Sequence, residues 1–68
     1  MSYSYKKYMS LAEDFQLKGK FDDAAKIYQF LISNGVQDSS LFADFGVIQQ
    51  QLGNIEKAIQ LYRKSIKI

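Results

Sequence analysis

Asp22 and Asp23 are the nearest approach to a catalytic pair in this 68-residue chain, and their spacing argues against that work. Adjacent residues on a helix diverge around its axis, whereas paired acid–base catalysis needs two groups converging on one bond. Two carboxylates in a helix's first turn have a simpler use, complementing the positive end of the dipole. The chain has no histidine and no cysteine, so the usual nucleophile–base pairs and metal-ligand spacings are missing. It also lacks a glycine-rich loop that could cradle phosphate. A protein that is not an enzyme, with no cofactor and no metal, is the expectation.

A second stretch interleaves rings with cations: Tyr3, Tyr5, Lys6, Lys7 and Tyr8. Such a run could stack on and neutralise a single strand of nucleic acid. Helical spacing, however, assigns Tyr8, and Tyr5 beside it, to an apolar stripe. The net charge of +2 is also small for a nucleic-acid footprint. Its distribution is uneven, with about +1 over residues 1–37, −2 from Asp38 and Asp44, and +3 over residues 54–68. The longest apolar patch, Leu41 to Ile48, is broken by Asp44 and is far short of a membrane span. No nucleic-acid partner and no membrane are expected, and the absence of cysteine suits a soluble cytoplasmic protein.

These groups have to be held by elements that the spacing of apolar residues predicts. Tyr8, Leu11, Ala12 and Phe15 recur at i, i+3, i+4 and i+7, which predicts a helix from about Tyr5 to Lys18 with one buried stripe. Gly19 stops it. A second helix from Phe21 or Asp22 buries Ala24, Ile27, Tyr28, Leu31 and Ile32, and Ser33-Asn34-Gly35 ends it. Asp38 or Ser39 can cap a third helix carrying Leu41, Phe42, Phe45, Gly46, Ile48 and Leu52. A glycine inside a helix costs about 1 kcal/mol relative to alanine, so Gly46 implies close approach by a backbone or a bulky ring. Gly53 closes the third helix, and Asn54 can cap a fourth bearing Ile55, Ala58, Ile59, Leu61, Tyr62 and Ile66.

The halves repeat. Gly19-Lys20-Phe21-Asp22-Asp23-Ala24-Ala25-Lys26-Ile27-Tyr28 returns 34 residues later as Gly53-Asn54-Ile55-Glu56-Lys57-Ala58-Ile59-Gln60-Leu61-Tyr62. One shift aligns glycine, alanine, tyrosine and the acids, and a repeat of this length dictates architecture. Tyr8-x2-Leu11-Ala12-x2-Phe15 followed by Ala24-x3-Tyr28 resembles the tetratricopeptide repeat, as does Phe42-x2-Phe45-Gly46-x2-Gln49 followed by Ala58-x3-Tyr62. The resemblance covers residues 5 to 68. It implies an all-α fold of two helix–turn–helix hairpins, four antiparallel helices stacked as a short right-handed α-solenoid. Residues 1–4 read as a flexible lead-in, 5–38 as the first repeat, and 39–68 as the second with no C-terminal capping helix. The chain departs from the family at Val36, where a proline is usual, and at Gln49, where a bulky apolar residue is usual. Gln49 is expected to face the surface or to be hydrogen-bonded.

The resemblance also implies a protein or peptide partner. Its concave groove would be lined by Lys6, Met9, Ser10, Glu13, Gln16 and Leu17 from the first helix and by Ser40, Ala43, Asp44, Val47, Gln50 and Gln51 from the third. Family members that grip a terminal carboxylate use lysine and asparagine on these faces; Met9, Glu13 and Asp44 stand there instead, so that clamp is missing. A second candidate surface is the outer face of the fourth helix, where Ile59, Tyr62, Ile66 and Ile68 have no following helix to cover them. Two repeats in a short chain bury little. With disulfides and metals closed, partner burial is the remaining source of stability. The expected function is a protein–protein interaction or assembly module that forms a homo-oligomer through the last helix or acts as part of a larger array. Peptide capture in the groove is the alternative.

Overall fold

The computed structural model describes residues 4–67. Among them are four helices and no strand: α1 (Tyr5–Leu17), α2 (Phe21–Ser33), α3 (Ser39–Gln51) and α4 (Ile55–Lys67). They divide into two compact units, Met1–Val36 and Gln37–Ile68. In each unit the two helices pack against one another as a hairpin. The all-α class expected from the repeat is the one observed.

The helix ends follow from local chemistry. Gly19 and Gly53 sit at φ of 75° and 87°, a region that side chains with a Cβ avoid. At the end of α1 the Gly19 N–H donates to the Gln16 carbonyl (3.0 Å) and the Lys20 N–H to Phe15 (2.8 Å). At the end of α3 the Gly53 N–H donates to Gln50 (3.1 Å) and the Asn54 N–H to Gln49 (2.8 Å). These paired bonds are the Schellman closure, which satisfies carbonyls the helix leaves open. The end of α2 repeats it, with the Val36 N–H donating to Leu31 (3.1 Å). A proline at position 36 has no N–H and could not make that bond. Valine in place of the family's proline therefore ends the helix by hydrogen bonding. At the start of α3 the Asp38 carboxylate accepts from the Ser40 N–H (2.8 Å) and the Leu41 N–H (3.4 Å), a cap worth about 1 kcal/mol.

In the first unit Ala24, Tyr28 and Leu31 of α2 are fully buried, as is Ala12 of α1. The α1 stripe differs from the expected one. Tyr8 and Leu11 are 41 % and 47 % exposed, while Met9 is buried. Apolar spacing locates a helix face but does not fix its rotation to within a residue. Here the buried line runs through Met9 and Ala12, and Tyr8 stands beside it with its ring 5.6 Å from that of Phe30.

In the second unit Leu41, Phe42, Phe45 and Ile48 of α3 and Ala58 and Leu61 of α4 are buried. Two lysines of α4 lie over α3 rings, Lys57 Nζ 5.3 Å from the Phe45 centroid and Lys64 Nζ 5.8 Å from Phe42. Such cation–π contacts let the aliphatic stems cover apolar surface while the ammonium stays wet. The Ser65 hydroxyl donates to the Ser39 carbonyl (3.0 Å) and ties the last turn of α4 to the first residue of α3.

Candidate functional site

The repeat recurs in hydrogen bonds as well as in residues. In the first unit the Tyr28 hydroxyl donates to Gln16 Oε1 at 3.5 Å; in the second the Tyr62 hydroxyl donates to Gln50 Oε1 at 3.0 Å. Gln16 and Gln50 are 34 residues apart, as are the tyrosines. Each pair links the last turns of a unit's first helix to the middle of its second. The sequence carries this signal, a glutamine twelve residues before each tyrosine, but the resemblance alone assigns both glutamines to the groove.

Tyr62 also departs from its expected place. Rather than standing uncovered on the outer face of α4, its ring lies over the backbone of Gly46. A Cβ built on that glycine would come within 2.7 Å of the ring. Gly46 is small because a bulky ring occupies the space, one of the two reasons its position suggested. Tyr62 is half-buried and committed to its own hairpin.

Gln49 is buried and hydrogen-bonded, not surface-facing. Its Oε1 accepts from the Asn54 side-chain amide at 2.8 Å. Asn54 thereby directs its side chain to Gln49, while its carbonyl accepts the first helical N–H of α4 from Ala58 (3.0 Å). In the first unit the same two positions hold Phe15 and Lys20. The amide that stands in place of the aromatic is the acceptor and the asparagine that stands in place of the lysine is its donor. Asn54→Ala should strand the buried amide and cost on the order of 1–2 kcal/mol, and Gln49→Leu with Asn54→Ala should cost less than Asn54→Ala alone. Urea denaturation of the variants measures both. A double variant weaker than the single one would reject the pairing.

Of the remaining residues expected in a groove, Lys6, Ser10, Glu13 and Leu17 of α1 are exposed and Gln16 is half-buried. Met9 is withdrawn from solvent, so the expectation that it lines an open face is corrected. On α3, Ser40, Val47, Gln50 and Gln51 are exposed, while Ala43 and Asp44 are half-buried. On α4, Ile55, Ile59 and Ile66 are exposed, Ile66 by 84 %. Ile55, Ile59, Tyr62 and Ile66 recur at i, i+4, i+7 and i+11, which puts them on one stripe. Ile68 and Tyr3 lie outside the described residues. A shallow depression of about 300 Å³ is lined by Tyr8, Leu11, Lys26, Ile27 and Phe30. Tyr8, which the sequence placed in the core, is thus part of an apolar surface on the first unit.

Two units that share a closure motif, a tyrosine–glutamine bond and a 34-residue period define a helical-repeat protein of the helix–turn–helix kind. The family model described as tetratricopeptide repeat matches residues 3–32 and 43–65, and the chain belongs to that family. The family is a non-catalytic interaction module whose repeats generally mediate protein–protein contacts. No curated protein and no solved structure matches the chain. Among the described residues no helix is long and apolar enough to cross a membrane.

Proposed function

We propose that this chain is a non-catalytic assembly module that associates with further copies of itself through the outer stripe of α4. The observation that supports it is the exposure of Ile55, Ile59 and Ile66 on one stripe of a helix whose adjoining face, through Ala58 and Leu61, is already packed. Isoleucines grouped on an exposed stripe mark an interaction surface more often than a solvated one. Two repeats also bury less than the three or so that such arrays usually need, so covering the stripe adds to stability. A further repeat of a longer array would cover the same residues. This reading is that of a cytoplasmic protein with a protein partner, no cofactor and no reaction.

Sedimentation equilibrium tests it. The wild-type protein should have a concentration-dependent mass above that of the monomer, and Ile66→Glu should return it to the monomer with its helicity retained. A wild-type mass that stays monomeric into the high micromolar range would reject self-association.

A second reading, peptide capture by the first helix of each repeat, draws on Val47. This exposed apolar residue stands on α3 near the polar Gln50 and Gln51. On α1, Lys6 and Glu13 offer exposed charges of both signs. Glu13→Lys combined with Asp44→Lys should alter peptide binding and leave the assembly mass unchanged, which separates the two readings.

A further inference from the structure

The outer stripe of α4 reads the same in both directions. Ile55, Ile59, Tyr62 and Ile66 are separated by four, three and four residues. Two such stripes laid antiparallel match end to end, Ile55 against Ile66 of a second copy and Ile59 against its Tyr62. A parallel pair matches like residues in register, so apolar spacing alone does not choose between the two. Charge and the covered side of the helix do.

Successive residues step about 100° around a helix, which puts Glu56 and Arg63 on one flank of the stripe and Ala58 and Ser65 on the other. The second flank is already used. Ala58 is buried, and the Ser65 hydroxyl donates to the Ser39 carbonyl of α3. On the first flank both charged residues are exposed. Glu56 has no cation three or four residues away on α4, and Arg63 has no acid. Neither gains the ion pair that helical spacing can supply. The remaining cations lie toward α3: Lys57 and Lys64 stand over its rings, and Lys67 lines a depression with Phe42. That leaves Arg63 for the outer flank.

From these positions we infer that two copies join through α4 as an antiparallel twofold pair, with Glu56 of each copy facing Arg63 of the other. This arrangement rests on the self-association reading above and adds its symmetry and the polar contacts that set it. A twofold axis perpendicular to two antiparallel helices keeps like flanks together, so the Glu56–Arg63 flanks of both copies meet. The end-to-end match of the stripe puts that axis midway between Gln60 and Leu61. Glu56 then lies about 3 Å along the helix from Arg63 of the second copy, within side-chain reach. A parallel pair brings opposite flanks together and sets Glu56 against the side that α3 covers. It also stacks the ends of the helix where Arg63, Lys64 and Lys67 gather. With one acid and four cations on α4, two copies repel least when those ends lie apart. The antiparallel pair separates them and sets the positive end of each helix dipole beside the negative end of the other.

Disulfide trapping tests the direction, because the chain contains no cysteine of its own. Ile55→Cys mixed with Ile66→Cys should give a disulfide-linked heterodimer in a glutathione buffer. Either variant alone should link at least tenfold less. In the antiparallel pair two like cysteines stand about 16 Å apart along the helices, beyond the roughly 7 Å that a disulfide spans between Cα atoms. Charge exchange tests the contact. Glu56→Arg and Arg63→Glu should each weaken self-association at least tenfold in sedimentation, and the chain carrying both should regain most of it. Both sites are exposed, and circular dichroism checks that the variants are folded. A twofold contact is closed, so the wild-type mass should stop at the dimer. The antiparallel pair is overturned if the cysteine mixture links no better than either variant alone, or if the double exchange stays as weak as the single ones. A mass that grows past the dimer overturns it too. In each case a wild-type protein that still associates keeps the reading beneath it, whereas a monomeric one removes both.

Discussion

Tyr28→Ala is expected to unfold the first hairpin. The side chain is fully buried, and removing a buried aromatic typically costs about 3–5 kcal/mol through lost transfer energy and the cavity left behind. A core in a chain of this length rarely supplies more than about 3–5 kcal/mol in total, so the loss is comparable with the whole. The buried residues one turn away on the same helix cannot readily close the gap, because Ala24 is short and Leu31 is already buried. Far-UV circular dichroism should show a large loss of helix, with amide exchange protection lost from α1 and α2 first. Tyr62→Ala removes the same motif residue from the second unit, yet that ring is only half-buried. Its cost should be well below that of Tyr28→Ala. Equal costs would mean that the motif position, rather than burial, sets the energetics.

The contrast between the tyrosines also shows what the sequence could and could not reveal. Helix ends were legible because their causes are local: Gly19, Gly35 and Gly53 each take the positive φ that closes a helix, and Asp38 caps the next. The 34-residue period fixed the number and pairing of helices. Rotation of α1 was not legible. Large side chains at Tyr8 and Leu11 drew the predicted stripe toward themselves; Ala12 of that stripe is buried, but its buried companion is Met9, one position from Tyr8. The same limit placed Tyr62 among the uncovered residues of α4, since a four-residue stripe does not say which member turns inward toward a glycine. Gln49 was ambiguous for another reason. A polar residue at an apolar repeat position is explained only by its partner, and that partner, Asn54, stands in the turn where a capping role accounts for its type equally well.

Gly46→Ala should destabilise the protein, although alanine is the better helix former by about 1 kcal/mol. The new methyl would fall 2.7 Å from Tyr62 Cε1 and 2.9 Å from Cδ1, too close for either ring carbon to stay where it is. Relief requires the ring to swing outward, away from the hydroxyl's 3.0 Å bond to Gln50. Overpacking of this kind costs about 1–3 kcal/mol, which leaves a net loss near 1 kcal/mol after the helix gain. The first unit pairs alanine with tyrosine at the matching positions, Ala12 and Tyr28, with a longer hydroxyl contact of 3.5 Å, so a tyrosine ring can be held beside alanine and the cost stays below the top of that range. Gly46→Val, with two further methyls and a β-branch, should reach about 3 kcal/mol. The decisive measurement is the sign in a Tyr62→Ala background. There the ring is gone and only helix propensity remains, so Gly46→Ala should stabilise by about 1 kcal/mol. A thermodynamic cycle by urea denaturation reads this reversal directly. If Gly46→Ala has the same sign with and without the Tyr62 ring, the glycine is not there to admit it.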